Sequence, residues 1–298
     1  MLKPMFHHLM QESAPTQSVV GMIPHQIEAP EFSLTDMISE VMAYCAMKRQ
    51  NPVRYLSLEG EDEKVFVPGY WRPNILRGCQ AKQAYKIHKV PGIEPPFNLQ
   101  KQFTFDRGNV FEAWLIAYLH AAQAAGIFGV SNIRRNLVVY DKQTGVGGKY
   151  DVIFTRNGFD YLIECKSKES SKAFKSINVA AEDHRAQHND YMAITGIHAG
   201  FVVYFGIEIG VEDPETAKVD KDKTAIKIRS FFHRFSPKLW QETIHRCGMM
   251  EWFRDDPSIL PPKSTKPFFE CKECIYKGVC DMSLSPVAAI AALKFQGK

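Results

Sequence analysis

Apolar residues recur at helical spacing in the first part of the chain. The segments 33–50, 75–89 and 108–126 each show this pattern. The first begins at Ser33, a residue type that caps helix N-termini, and the third is rich in alanine and closes at Gly126. We therefore predict three helices before residue 127.

The spacing then changes to that of β-strands. Asn157 and Gly158 separate two β-rich runs and are a strong signal for a tight hairpin turn. The order of elements predicts an α/β fold, with a mixed central sheet flanked by helices. The predicted elements are strands at 134–141, 149–156 and 159–168, a helix near 180–195, a strand at 200–209, a polar loop at 211–224, a strand at 225–233, a helix at 237–247 and a short last helix from Ser285.

Composition narrows the class of protein. The chain has 298 residues, of which 45% are hydrophobic, so global disorder is excluded. Its 37 Lys+Arg and 33 Asp+Glu give a net charge of +4, far from that of a polybasic chain. Any contact with nucleic acid must therefore come from a local patch of charge.

The sequence predicts a cytoplasmic protein with reduced thiols and no membrane partner. No segment approaches the roughly 18–20 apolar residues of a membrane span. The first residues lack the sustained apolar stretch of a secretory signal. The seven cysteines are an odd number, so they cannot all be paired within one chain.

Two carboxylates and an amine interrupt otherwise apolar strands. Asp151 lies near the start of one strand, and Glu164 and Lys166 lie near the end of the next. Because strand side chains alternate, Glu164 and Lys166 share a face and Cys165 points to the other. Adjacent carboxylates require a compensating cation, and Mg²⁺ or Mn²⁺ prefers such oxygen ligands. An ordinary salt bridge of Lys166 with either carboxylate is the alternative.

Three further residues accompany this triplet in a fixed order. Glu112 lies in an apolar context on the alanine-rich helix, and Gln187 and Tyr191 are spaced i, i+4 on the helix after the strands. The ordered set from 108 to 191 resembles the PD-(D/E)XK nuclease superfamily, and specifically its RecB-like branch. This resemblance implies a restriction-endonuclease-like core.

The resemblance also implies roles for the residues that match. Asp151, Glu164 and the backbone carbonyl of Cys165 would bind Mg²⁺ or Mn²⁺, and Glu112 would complete the metal shell. Lys166 would act on the attacking water. Gln187 and Tyr191 would lie beside the site, contacting DNA or bracing the lysine. Tyr150 stands where the family usually has proline.

A cysteine-rich tail suggests a second site. Cys271, Cys274 and Cys280 supply three ligands within ten residues, and a fourth must come from elsewhere. We choose Cys79, because its polar, basic surroundings do not suit a buried thiol, with Cys45 as the alternative. Spacing alone fits Zn²⁺ or iron–sulfur equally well. The RecB-like resemblance, which includes CRISPR-associated and AddB-type nucleases, favours a [4Fe–4S] cluster that staples the two ends of the chain.

The sequence therefore predicts a divalent-metal-dependent DNA nuclease, and the resemblance implies that it is an exonuclease. Its expected substrate is DNA with a single-stranded end, and its expected setting is recombination, repair, phage DNA processing or CRISPR adaptation. The expected protein partner acts in recombination or CRISPR adaptation. A non-catalytic iron–sulfur or zinc DNA-binding protein and an iron–sulfur redox sensor are the alternatives. The expected organisation is a flexible arm at 1–30, a helical segment at 31–107, a nuclease core at 108–250 and a cysteine segment at 251–298.

Overall fold

The computed structural model describes most of the chain. The predicted arm lies outside the described residues up to residue 28, and residues 31–298 form one compact unit. The described ranges are 29–49, 71–92, 99–168, 171–212, 219–263, 271–272 and 274–296.

A five-stranded mixed sheet forms the centre of the unit. The strands lie in the order β1 (Val130–Arg135), β4 (Val152–Arg156), β5 (Phe159–Ser167), β6 (Ala199–Glu212) and β7 (Val219–Arg234). Neighbouring strands are antiparallel except β5 and β6, which are parallel. A separate antiparallel pair consists of β2 (Val138–Asp141) and β3 (Val146–Lys149). The prediction of an α/β fold with a mixed sheet is confirmed.

Helices cover both faces of this sheet. Tyr161 of β5 contacts Phe32 on one face, and Leu162 packs with Tyr191 and Met192 on the other. Adjacent strand residues point to opposite faces, so β5 is buried on both sides. The described helices are α1 (Leu34–Met47), α2 (Pro73–Leu76), α3 (Gln80–Ile87), α4 (Leu99–Ala125), α5 (Ser171–Lys175), α6 (Glu182–Thr195), α7 (Pro237–Asp255), α8 (Lys277–Asp281) and α9 (Pro286–Gln296).

Two runs that the pattern predicts as single strands are each broken in two. The run 134–141 divides at Asn136, whose φ of 55° lies in the left-handed region and turns the chain between β1 and β2. The run 149–156 divides at Tyr150 and Asp151, between β3 and β4. Apolar patterning does not mark these breaks, because strand-forming residues continue through them.

Other element boundaries also differ from the predictions. The helix predicted at 75–89 is interrupted between α2 and α3, and α4 begins nine residues earlier than its predicted start at 108. The predicted loop at 211–224 is partly strand, because Val211 pairs with Asp220 and Glu212 with Val219. Backbone pairing with β6 offsets the polar composition of this stretch.

None of the helices in the described ranges is long and apolar enough to cross a membrane.

Candidate active site

At the end of β5, three side chains form a group in which each is hydrogen-bonded to the other two. Glu164 is 2% exposed, and its Oε1 accepts hydrogen bonds from Lys166 Nζ at 2.6 Å and from Gln187 Nε2 at 2.8 Å. Lys166 Nζ also donates to Gln187 Oε1 at 3.2 Å. The predicted spacing therefore brings Glu164 and Lys166 to one face, and α6 supplies Gln187 to hold them.

Asp151 is fixed to the same strand by its side chain. The pairing of β4 with β5 ends at Val152 and Ile163, and Asp151 lies just before it. Its carboxylate accepts a hydrogen bond from the backbone N–H of Cys165 at 2.6 Å. The side chain thus continues the contact between the two strands and lies beside Glu164.

Glu112 of α4 joins this acidic group. Burial raises its pKa, and the Glu164 carboxylate raises it further. A hydrogen bond from the Asn136 side chain and the charges of Lys149 and Arg135 act in the opposite direction. The structure therefore brings Glu112 from the helix, Asp151 and Glu164 from the strands, and Lys166 into one electrostatically coupled site.

The pKa shifts in this site indicate that additional positive charge would stabilise it. Burial and the carboxylates of Glu164 and Glu112 raise the pKa of Asp151 well above its usual range. Burial lowers the pKa of Lys166, but Glu164 and Asp151 together raise it by more, so the amine is held as a cation. The Glu164 carboxylate raises the pKa of both Glu112 and Asp151, and a bound cation would relieve this repulsion.

Tyr191 lies deeper than Gln187 and contacts a different element. It is buried, and its hydroxyl packs against Gly148 of β3, where an added Cβ would lie 2.8 Å from the oxygen. Burial and the nearby carboxylates Glu164 and Asp151 raise its pKa. Tyr191 is thus placed to support the β2–β3 hairpin beside the site.

Sequence reasoning missed the residues that surround Glu112. Asn136 bonds Glu112 through its side chain, and its backbone N–H donates to the Asp151 carbonyl at 3.0 Å. It therefore links the helix carboxylate to the strand carboxylate. The available signal was an asparagine inside a β-rich run, since asparagine tolerates positive φ better than most residues.

Three of the chosen cysteines lie together in an apolar cluster. Cys79, Cys274 and Cys280 pack around buried Tyr85, whose pKa is raised to about 12 by burial and by these thiols. Burial raises the pKa of Cys280, and the thiols of Cys79, Cys271 and Cys274 raise it further. The fold therefore gathers residues that are distant in sequence.

The three cysteines other than Cys79, Cys271, Cys274 and Cys280 lie elsewhere. Cys45, the alternative fourth ligand, is buried on α1 near Tyr118. Cys247 donates its thiol to the Thr144 carbonyl at 3.3 Å, and Cys165 lies beside the carboxylates. In the conformations seen for the described residues, no three His, Cys, Asp or Glu side chains form a group that could hold a metal ion.

Comparison with known proteins finds no matching family model and no matching curated protein. Among solved structures, the protein SSO0001 is similar at 15% identity and a TM-score of 0.39, over 85% of this chain and 98% of that one. An alkaline exonuclease from Laribacter hongkongensis is similar at 12% identity and a TM-score of 0.41, over 63% and 88%. A phage-related exonuclease from Haemophilus somnus 129PT is similar at 12% identity and 0.34, over 58% and 92%.

Proposed function

We propose that this protein is a divalent-metal-dependent DNA nuclease that cleaves phosphodiester bonds by hydrolysis, acting as an exonuclease. One observation carries the proposal: Asp151 lies within electrostatic range of both Glu112 and Glu164, and Lys166 bonds Glu164 and Gln187 beside them. A structural salt bridge would need one carboxylate, whereas the site has three.

The donor chemistry of these residues fits a hard divalent cation. Carboxylate oxygens are the ligands that Mg²⁺ and Mn²⁺ prefer. Burial and the carboxylates of Glu164 and Glu112 raise the pKa of Asp151, and a cation would relieve the repulsion between these carboxylates. Glu112, Asp151 and Glu164 would hold the ion, with the Cys165 carbonyl as a further oxygen ligand. When bound, it would supply Lewis-acid stabilisation of the phosphate and lower the pKa of a water molecule.

Lys166 would act on the water or on the phosphate. Its ammonium group has three N–H donors, and Glu164 and Gln187 accept two of them. The side chain is 22% exposed, so the third donor can reach solvent. From this position Lys166 would orient the attacking water and stabilise negative charge that develops on the phosphate oxygens.

Basic residues near the carboxylates would meet the DNA backbone. Lys149 and Arg135 lie within electrostatic range of Glu112, and Arg72 lies within range of Tyr191. A few such cations suffice to neutralise the phosphates next to a scissile bond. We propose DNA with a single-stranded end as the substrate, and recombination, repair, phage DNA processing or CRISPR adaptation as the setting.

The direct test measures degradation of end-labelled single- and double-stranded DNA. We expect activity with Mg²⁺ or Mn²⁺, its loss with a chelator, and a loss of about 10²-fold or more in Asp151→Asn. Lys48→Ala, which removes an exposed cation on the α1 cap, is the matched surface control. The nuclease proposal is refuted if folded wild-type protein degrades neither single- nor double-stranded DNA in the presence of Mg²⁺ or Mn²⁺.

Asn136→Gly tests how the carboxylates are positioned. Glycine tolerates the φ of 55°, so the variant keeps the turn and loses the side-chain bond to Glu112. Because outer-shell hydrogen bonds orient metal ligands, we expect the Mn²⁺ concentration for half-maximal activity to rise about tenfold. Asn132→Gly, at a φ of 48° on β1, is the control. An unchanged Mn²⁺ requirement would exclude a positioning role for Asn136.

We also propose that the cysteines hold a [4Fe–4S] cluster, with Zn²⁺ as the alternative. Thiols are soft donors that suit either metal, and those of Cys79, Cys271 and Cys274 lie close enough to Cys280 to raise its pKa beyond the effect of burial. The ligands would tie the turn before α3 to the segment that contains α8. This staple would be structural, because it closes a very long loop of the chain.

Anaerobic purification tests the staple. We expect a brown protein with about four irons per chain, and Cys280→Ser should lose iron and lower the melting temperature. Cys247→Ser is the matched control, because Cys247 lies away from the other thiols, bonded to Thr144. A colourless protein with stoichiometric zinc would replace the cluster by a zinc site, and iron retained in Cys280→Ser would exclude this ligand set.

A further inference from the structure

A cavity of about 320 Å³ lies where α6, the end of β7 and the start of α7 meet. It has the size of a small ligand site. Residues 188 and 233 place two imidazoles in its wall, and Arg185, Lys238 and Ser236 also line it. None of these residues belongs to the proposed hydrolytic site, so the cavity needs its own explanation.

His188 lines this cavity and has a ring nitrogen without a hydrogen-bond partner in the described part of the chain. The side chain is fully buried, and its Nε2–H donates to the Leu162 carbonyl at 3.1 Å. Gly200 permits this approach, because a Cβ there would lie 2.8 Å from Nε2. Nδ1 is buried with no hydrogen-bond partner among the described residues. Burial lowers the pKa of His188 to about 3, so at neutral pH Nδ1 carries a lone pair.

His233 of β7 also has a buried ring nitrogen that lacks a hydrogen-bond partner among the described residues. It stands opposite Gly200 in the β6–β7 ladder, and its ring centroid is 6.2 Å from that of His188. Its Nε2 is buried and, within the described ranges, also lacks a hydrogen-bond partner. Burial and the Arg185 charge lower its pKa to about 4. The deep part of the cavity therefore combines two neutral imidazoles, and His188 requires a hydrogen-bond donor.

The outer part of the cavity favours a negatively charged ligand group. Arg185, Arg234 and Lys238 are exposed cations on its rim, and the glutamates at 182 and 242 offset them only partly. The N-terminus of α7 also opens here, with Ser236 as its cap and Lys238 in its first turn. Helix N-termini and cations both attract anions. These charges oppose a metal ion and favour a ligand with an anionic outer end.

We propose that this cavity binds a deoxynucleotide whose base donates its amino group to His188 Nδ1 and whose phosphate lies between Arg185 and Lys238. The proposal deepens the proposed nuclease function, since nucleotides are the substrate units and products of that reaction. The ligand is either a free mononucleotide or a nucleotide within a DNA strand. Through His188 and Leu162, the site contacts β5, which carries Glu164 and Lys166.

Calorimetric titration of the full chain with dCMP and dUMP tests the site. These ligands have nearly the same size, but dCMP has a donor amine where dUMP has an acceptor oxygen. We expect saturable dCMP binding, at least about tenfold weaker dUMP binding, and about tenfold weaker dCMP binding in Arg185→Ala. Lys48→Ala should bind like wild type. Equal binding of dCMP and dUMP, binding unchanged in Arg185→Ala, or no saturation by about 10 mM would overturn the proposal.

Two further sets of titrations identify the ligand and separate its binding from DNA hydrolysis. Tighter binding of the pentamer (dC)₅ than of dCMP assigns the site to a strand, and equal or weaker binding assigns it to the free nucleotide. Either result supports the site. Titrations without divalent cation, repeated in Lys166→Ala, make the result independent of hydrolysis. DNA degradation without dCMP binding refutes the cavity proposal alone, and dCMP binding without degradation refutes the nuclease proposal alone.

Discussion

Lys166→Ala is expected to lower the rate of metal-dependent DNA hydrolysis by about 10²–10³-fold. The amine bonds both Glu164 and Gln187, and the Lys166 side chain remains 22% exposed. Its removal takes away the group that would orient water and stabilise charge on the phosphate. Single-turnover cleavage of labelled DNA at saturating Mn²⁺ measures the effect.

A loss of folding would mimic this result, so a second variant is needed. Lys166→Ala leaves Glu164 buried with Gln187 as its remaining described partner, which costs stability. Lys166→Gln keeps an N–H donor for Glu164 and removes the charge, and its melting temperature should stay closer to that of wild type. Full activity in folded Lys166→Gln would contradict a role for the ammonium charge.

Arg77→Met is expected to reduce the free energy of unfolding by about 3–5 kcal/mol. Arg77 Nη2 donates to both carboxylate oxygens of Asp190, at 2.9 and 3.0 Å. The Thr243 hydroxyl accepts from Arg77 Nη2 and donates to Asp190 Oδ1. The two charged side chains are 8% and 0% exposed. Removing Arg77 leaves buried Asp190 without its ion-pair partner, and the Thr243 hydroxyl and the Arg246 charge compensate it only in part. This ion pair also fixes the turn before Cys79 to α6 and α7.

The loss of unfolding free energy in Arg77→Met is expected to depend on pH. Burial raises the pKa of Asp190 from 3.8 to about 6 even with Arg77 beside it. A folded-state pKa above the unfolded one gives stability that is present below pH 3.8 and is lost as pH rises through about 6. Without Arg77 the folded pKa rises further, so the loss in Arg77→Met should be larger at pH 8 than at pH 5.

Urea denaturation at both pH values measures this loss. The double variant Arg77→Met with Asp190→Leu should recover much of the stability, because it removes both buried charges. Arg134→Met is the control, since Arg134 and Asp160 form an ion pair whose side chains are 37% and 38% exposed and should contribute at most about 1 kcal/mol. Equal losses in Arg77→Met and Arg134→Met would show that burial does not decide the effect.

The sequence alone predicts the candidate residues of the site and the faces of the elements on which they lie. Alternation along β5 predicted that Glu164 and Lys166 share a face, and their hydrogen bond agrees with it. The i, i+4 spacing on α6 indicated that Gln187 and Tyr191 lie on one face, and both lie near Glu164. Local periodicity suffices for these statements, because it fixes side-chain direction within one element.

The tertiary structure alone decided how the elements meet. Asn136 turns the chain inside a continuous β-rich run and joins Glu112 to the Asp151 strand, which no apolar pattern reveals. The burial of Arg77 with Asp190 depends likewise on elements distant in sequence, as does the lack of a partner for His188 Nδ1 among the described residues. Burial and charge compensation are properties of the assembled core, so they follow from packing between elements and not from the periodicity of any one of them.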